Sequence, residues 1–356
     1  MKRVFISLAD KSASNYIYEI FKKGFEHLEI YGLTDEKLEN IGIRSVARYS
    51  EISTVGLVEA LNKIPKFLKI YRRILNKLKS IDTLILCDAP ALNLRLLKEA
   101  RKIGVKKIIY FISPQVWAWK PKRAELIGNF ADHLIVILPF EKKIYRRFPN
   151  LRVHYLGHPL VDLVKPVKTE KEFLKNFRGK PLPILFGSRI GEIRRHVKLF
   201  RDLVHYFKKD FEPVTPTFVE FEEFIKEDLK IKTLVYDKAS YDCFFYSDVS
   251  IIASGTASLE AALARNPHLV YYNVNPLTYI VAKRLVKVPY ISLVNILLKK
   301  EVVPELIQKE SREILNKFYE IYENKEKIGK DLELLRYILG EEGVIIRLRE
   351  LFRELI

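Results

Sequence analysis

Val249-Ser250-Ile251-Ile252-Ala253-Ser254-Gly255-Thr256-Ala257-Ser258-Leu259-Glu260-Ala261-Ala262-Leu263 passes from an apolar run, through a turn of glycine and small hydroxyl residues, into a helix-forming segment. A strand that delivers such a turn to a helix start leaves several backbone N–H groups unpaired at the positive end of the helix dipole, a setting suited to a diphosphate. Glu260 falls about one turn later, where a carboxylate can accept both hydroxyls of a ribose. A capped helix with Glu260 favouring the dipole accounts for the same residues equally well. On either reading the stretch is a strand, a turn and a helix, the unit of an α/β fold.

The same grammar extends both ways along the chain. Val4–Leu8, Thr83–Cys87, Lys107–Ile112 and His133–Leu138 are short apolar runs, each followed by a helix-like stretch. A second series runs through Pro183–Phe186, Thr233–Tyr236, Val249–Ala253 and Leu269–Tyr272. Strands that read as continuous apolar runs are buried on both faces, so parallel sheets covered by helices are predicted. The chain of 356 residues is long enough for two such cores. Gly157-His158-Pro159 and Lys165-Pro166-Val167 suit a turn and crossover, which places the domains at 1–165 and 166–356. The last forty or so residues are helical in pattern, free to pack back on the first domain. Two doubly wound, Rossmann-like domains would bind ligands at the carboxyl ends of their strands, in a cleft between facing domains.

Composition narrows the partners. With 62 Lys+Arg against 44 Asp+Glu the formal charge is +18, which calls for an anionic partner: nucleic acid, membrane surface or phosphorylated substrate. Cys87 and Cys243 stand far apart, outside any Cys-x-x-Cys pair, which argues against a disulfide framework or zinc cluster and for a reducing compartment. No Asp-x-Asp pair or cysteine cluster presents metal ligands, so neither metal nor cofactor is predicted. The N-terminus reads as a core strand and not a signal peptide, and no run reaches the roughly 20 apolar residues of a membrane-spanning helix. A second turn, Gly187-Ser188-Arg189, follows Leu185-Phe186: glycine permits the tight turn, Ser188 can cap the next helix and Arg189 offers a fork of donors to phosphate. An isolated Gly-Ser-Arg is more often a cap beside a solvated arginine.

Together these residues resemble a known family. Ser254–Glu260 is similar to the nucleotide turn of sugar transferases of the GT-B architecture. Ser113-Pro114-Gln115-Val116-Trp117-Ala118-Trp119-Lys120, with Lys122-Arg123 following and Leu138-Pro139-Phe140-Glu141 downstream, resembles a stretch distinctive of lipid-A-disaccharide synthases. Gly157-His158-Pro159, Gly187-Ser188-Arg189 with Glu192, Ala282-Lys283-Arg284-Leu285 and Ser292-Leu293-Val294-Asn295 follow in that family's order. Two departures stand out: Ala9–Asn15 lacks the glycine usual after the first strand, and Phe211–Phe224 matches poorly.

The resemblance implies an inverting transferase that moves 2,3-diacylglucosamine from its UDP ester to 2,3-diacylglucosamine 1-phosphate and releases UDP. It makes Asp88, opening Asp88-Ala89-Pro90-Ala91-Leu92-Asn93, the candidate base, although capping a helix is an ordinary task for aspartate. Gly187, Ser188, Arg189 and the Ser254-Gly255-Thr256 turn are assigned to the diphosphate, Glu260 to the ribose and Asn295 to the nucleotide side. Asn93, Ser113 and His158 are acceptor-side candidates. The implied setting is the cytoplasmic face of the inner membrane, with a homodimer left open.

Acyl chains call for an apolar surface, and Leu57, Leu61, Ile64, Leu68, Tyr71, Leu75 and Leu78 recur at helical spacing. Lys69, Arg72 and Arg73 are among the cations beside this stripe, and no acidic residue falls between Ala60 and Ile81, which suits anionic lipid. Pro65 is predicted to divide the segment into two helices. A core-facing helix with a solvated basic face fits the same spacing, and Trp117 and Trp119 are predicted to pack. Two competing functions remain: another GT-B enzyme acting on UDP-N-acetylglucosamine (a peptidoglycan glycosyltransferase or an epimerase), and a basic nucleic-acid-binding protein, for which no recognition module is present.

Overall fold

The computed structural model describes residues 1–53, 60–253, 255–273 and 288–356, with 53 and 60–64 as backbone only. It divides into two compact units, Met1–Pro159 with Leu339–Ile356, and Leu160–Ile338.

In the first unit, β1 (Arg3–Ser7), β2 (Glu29–Thr34), β3 (Arg44–Arg48), β4 (Thr83–Cys87), β5 (Lys107–Phe111), β6 (His133–Val136) and β7 (Arg152–Tyr155) form a parallel sheet in the order β3-β2-β1-β4-β5-β6-β7. All five residues of β4 are buried, as expected of a strand with helices on both faces. Ile74 and Leu78 of the helix Ala60–Leu78 and Leu96 and Leu97 of the helix Pro90–Ile103 pack with Leu84 and Leu86 of β4 in one core. Each such side chain contributes roughly 1.5–3 kcal/mol by leaving water.

The C-terminal helix Val344–Leu355 completes this unit. Phe352 lies 5.3 Å from Phe21 and 5.6 Å from Phe111, while Arg349 donates to the carbonyls of Glu19 and Ile20. Its approach requires a glycine at 157: φ is +103°, and a Cβ there would lie 2.8 Å from a Val344 methyl and 3.0 Å from the Leu339 carbonyl oxygen.

The second unit repeats the plan with β8 (Pro181–Leu185), β9 (Glu212–Pro216), β10 (Lys232–Leu234), β11 (Ser250–Ala253), β12 (His268–Tyr272) and β13 (Glu305–Ile307), ordered β10-β9-β8-β11-β12-β13 and all parallel. Ile193, Val197 and Phe200 of the helix Ile190–Phe207 and Phe318 of the helix Ser311–Glu323 close its core. In both sheets the chain builds outward from the first strand, then returns to the opposite side of it. The strand order therefore reverses between β1 and β4, and again between β8 and β11.

Pro65 lies inside one continuous helix, Ala60–Leu78, rather than dividing it. The apolar stripe separates by environment: Leu78 is buried, Tyr71 and Leu75 pack partly on the core, and Leu68 stands 45% exposed beside exposed Lys69, Arg72 and Arg73. Leu57 lies outside the described residues, as do the side chains of Leu61 and Ile64. Among the described residues, no helix is long and apolar enough to cross a membrane.

Candidate active site

At the first reversal point, the loops leaving β1 and β4 carry Asp10 and Asp88. Asp10 caps the helix Lys11–Phe21, accepting the Ala13 N–H at 2.8 Å. Asp88 and Ala89 adopt left-handed φ of 45° and 44°, a conformation that costs a residue with a Cβ about 1–2 kcal/mol. The surroundings impose it: the Asp88 N–H donates to Phe111 O at 2.9 Å, and its carbonyl accepts from Asn93 Nδ2 at 2.9 Å and from the Tyr110 hydroxyl at 2.8 Å. The backbone is pinned on three sides, and the residue as a whole is half-buried. Burial, and then the charge of Asp10, push its pKa up to about 7. A carboxylate poised there takes a proton from a hydroxyl more readily than an ordinary aspartate does.

The other first-unit candidates are turned inward. Asn93 is fully buried; its Oδ1 accepts from Ser7 Oγ at 2.6 Å and its Nδ2 reaches the carbonyls of Ser7, Cys87 and Asp88, so it holds the Asp88 turn. Ser113 is buried against Tyr145, with the two hydroxyls 2.7 Å apart. His158 is buried, edge-on to Tyr16, and burial depresses its pKa to about 3, which keeps the ring neutral. Trp117 packs edge-on to Phe140 at 5.3 Å, while Trp119 stays 37% exposed. The sequence did not single out the chemistry of Glu141, a buried carboxyl whose pKa burial raises to about 8.

At the second reversal point two helix starts lie side by side: the ideal Cβ position of Gly187 is 4.0 Å from the Ala253 Cβ. Gly187 has φ +98°. Arg189, not Ser188, occupies the cap position of the 18-residue helix Ile190–Phe207, and its side chain makes no capping bond. The Glu192 N–H turns back to Arg189 O at 2.9 Å, which leaves the Ile190 and Gly191 N–H groups as the uncapped donors of the first turn. The Arg189 side chain, 82% exposed, reaches Glu192 at 3.2 Å. His196, which carries no distinguishing local signal, steadies this loop: its Nδ1 donates to Phe186 O at 2.8 Å and its Nε2 accepts the Asn273 N–H at 3.2 Å.

Across the pair, Gly255 precedes the helix Thr256–Leu263, also without a side-chain cap; Ser254 lies outside the described residues. Burial raises the Glu260 pKa to about 7, and the Tyr241 hydroxyl donates to its Oε1 at 3.3 Å, counteracting the shift. Behind the turn, Ser258 Oγ lies 2.8 Å from His268 Nε2 and 3.0 Å from Ser292 Oγ. Since His268 Nδ1 faces the Asn266 carbonyl at 2.8 Å, the proton sits on Nδ1 and Nε2 accepts from Ser258. Asn295 is buried and saturated: Nδ2 donates to Val303 O and Glu305 Oε1, and Oδ1 accepts the Val302 and Val303 N–H groups. Its observed work is to brace the segment Val302–Glu305.

Comparison with known sequences bears on what these groups do. The profile of the lipid-A-disaccharide synthetase family matches residues 4–354. The chain belongs to that family. A lipid-A-disaccharide synthase of Aquifex aeolicus (strain VF5) is 70% identical over 356 residues, the whole of both chains. One from Sulfurihydrogenibium sp. (strain YO3AOP1) is 36% identical over 385 residues, covering 100% of this chain and 99% of the relative. The synthetase-family fold is shared more widely: the UDP-GlcNAc 2-epimerase of Neisseria meningitidis bound to UDP-GlcNAc superimposes with a TM-score of 0.64 at 13% identity, over 99% of this chain and 100% of that one. At that identity the likeness shows the fold alone, two parallel-sheet α/β domains of the GT-B type. In this glycosyltransferase family, Asp88 and the paired helix starts both occupy reversal points of their sheets, where open α/β folds bind ligands.

Proposed function

We propose that the protein transfers 2,3-diacylglucosamine from UDP-2,3-diacylglucosamine to the 6-hydroxyl of 2,3-diacylglucosamine 1-phosphate, with inversion at the anomeric carbon. The observation that carries the reading is Asp88, a strained and pinned carboxyl with a pKa near 7 at a reversal point of a family member. Its carboxylate accepts the proton of the attacking hydroxyl as the new C–O bond forms, and the bond to the diphosphate breaks with its electron pair leaving on UDP. Arg189 and the uncapped N–H groups of Ile190, Gly191, Thr256 and Ala257, at the starts of Ile190–Phe207 and Thr256–Leu263, receive that charge, and such preorganised donors stabilise the transition state more than the ground state. Glu260 accepts the ribose hydroxyls.

Exposed Leu68 with Lys69, Arg72 and Arg73 gives the first unit an amphipathic cationic surface, which supports attachment to the anionic cytoplasmic face of the inner membrane.

UDP release from acylated substrates in detergent tests the function. Wild-type activity that requires acyl chains on both sugars, and that Asp88→Ala abolishes without unfolding the protein, supports it. Turnover of UDP-N-acetylglucosamine in place of the acylated donor would favour a different sugar-nucleotide enzyme of the same fold.

A further inference from the structure

The loop after β5 carries charges that the scheme above does not use. Lys120 Nζ lies 4.5 Å and Arg123 Cζ 4.7 Å from the centroid of the Trp119 ring. The Arg123 N–H donates to Lys120 O at 3.0 Å, so one tight turn carries both residues. Lys120 is left-handed at φ 51°, as is Ile112 at 67°, and these join Asp88 and Ala89 as strained residues after β4 and β5. Strain of this kind persists where the surrounding structure imposes it, and it concentrates at ligand sites.

The neighbouring acid, Glu125, pairs with Arg147 at 3.9 Å, and among the described residues neither Lys120 nor Arg123 has a carboxylate partner. Two like charges beside one partly exposed aromatic ring repel each other, and an anion bound by both relieves that repulsion. The Arg123 charge also acts on the Asp88 carboxyl, which places Arg123 within electrostatic reach of the proposed base.

We propose that Lys120 and Arg123, held on Trp119, form a phosphomonoester subsite that binds the anomeric phosphate of the acceptor sugar. The inference rests on the reading of the function given above and deepens it. A phosphomonoester presents three acceptor oxygens, enough for the fork of Arg123 and the point charge of Lys120 together, and a sugar with a free 1-hydroxyl satisfies neither.

The test uses the full-length protein in neutral detergent, as wild type and as Lys120→Met/Arg123→Met. The donor is UDP-2,3-diacylglucosamine, and the two acceptors are 2,3-diacylglucosamine 1-phosphate and the same sugar with a free 1-hydroxyl. Wild type should prefer the phosphorylated acceptor in kcat/KM by about a hundredfold, about tenfold for each charge-assisted contact. The double variant should lose most of that preference, through the KM of the phosphorylated acceptor. A preference kept by the variant, or absent from wild type, overturns the proposal. So does a loss expressed in the donor's KM, which would assign the cations to the diphosphate.

Sedimentation with phosphatidylcholine vesicles, with and without phosphatidylglycerol, covers the remaining source of phosphate: if the variant loses vesicle binding but keeps its acceptor preference, the pair serves lipid headgroups and the proposal fails. If wild type makes no disaccharide from either acceptor, the functional reading itself is wrong. Calorimetric binding of the two sugars to wild type and variant then decides the subsite independently.

Discussion

The side-chain amide of Asn93 donates to the carbonyl of Asp88 at 2.9 Å while also reaching the carbonyls of Ser7 and Cys87, so one buried residue ties the ends of β1 and β4 to the strained turn. Replacing it with alanine leaves several buried acceptors and the Ser7 hydroxyl without this partner. Asn93→Ala should destabilise the protein by about 2–4 kcal/mol and lower kcat more than it raises KM, because Asp88 loses its hold. Chemical denaturation and steady-state kinetics check both halves.

Asp88 itself links activity to pH. Its folded pKa of about 7 exceeds the unfolded value, so the native state holds a proton that the unfolded chain has released; the resulting stability is present at low pH and is lost as pH rises through 7. The activity runs the other way, with kcat/KM rising through an acidic limb near pH 7. Asp88→Asn should be inactive at every pH, yet more stable than wild type by about 1–3 kcal/mol at pH 8 and little changed at pH 4. Thermal unfolding at the two pH values, together with a pH–rate profile, tests the assignment.

Gly187 holds the turn beside Ala253. A Cβ there would lie 3.0 Å from a Glu192 carboxylate oxygen on a backbone of φ +98°. Gly187→Ala should cost about 1–2 kcal/mol and raise the KM of the UDP-sugar, with a smaller effect on the acceptor's KM.

Ser258 gives His268 its hydrogen bond behind the turn at Gly255. Ser258→Ala should cost about 1–3 kcal/mol by leaving the buried Nε2 unpaired, measurable by denaturation at pH 7. Burial lowers the His268 pKa to about 4, so the unfolded chain binds a proton near pH 6.5 that the native protein refuses. Stability at this residue therefore falls as pH drops from about 6.5 towards 4, a loss that should appear in the wild-type unfolding midpoint.

The sequence alone determined the alternation of apolar runs with helical segments, and with it the class of fold. Burial on both faces writes β4 as Thr83-Leu84-Ile85-Leu86-Cys87, a signal local enough to read without knowing the neighbours. Several strands without that signal stayed hidden. β9, Glu212-Pro213-Val214-Thr215-Pro216, reads as a breaker because proline donates no hydrogen bond, and β13 is three half-buried residues at a sheet edge. The passage from β11 through Gly255 into the helix Thr256–Leu263, and the position of Asp88 at the end of β4, were legible because a strand, a turn and a helix are contiguous.

Tertiary structure decided the rest. Whether Asn93 and Asn295 face a ligand or the backbone, which residue caps Ile190–Phe207, and whether Asp88 is an ordinary acid or one with a pKa near 7 all depend on groups brought together by crossovers between distant segments. Gly187 meets Ala253, and the charge of Asp10 reaches the Asp88 carboxyl, only because each sheet returns past its first strand. Hydrogen-bond partners and the cost of burying a charge are properties of that assembled neighbourhood, and no local pattern of residue types encodes them.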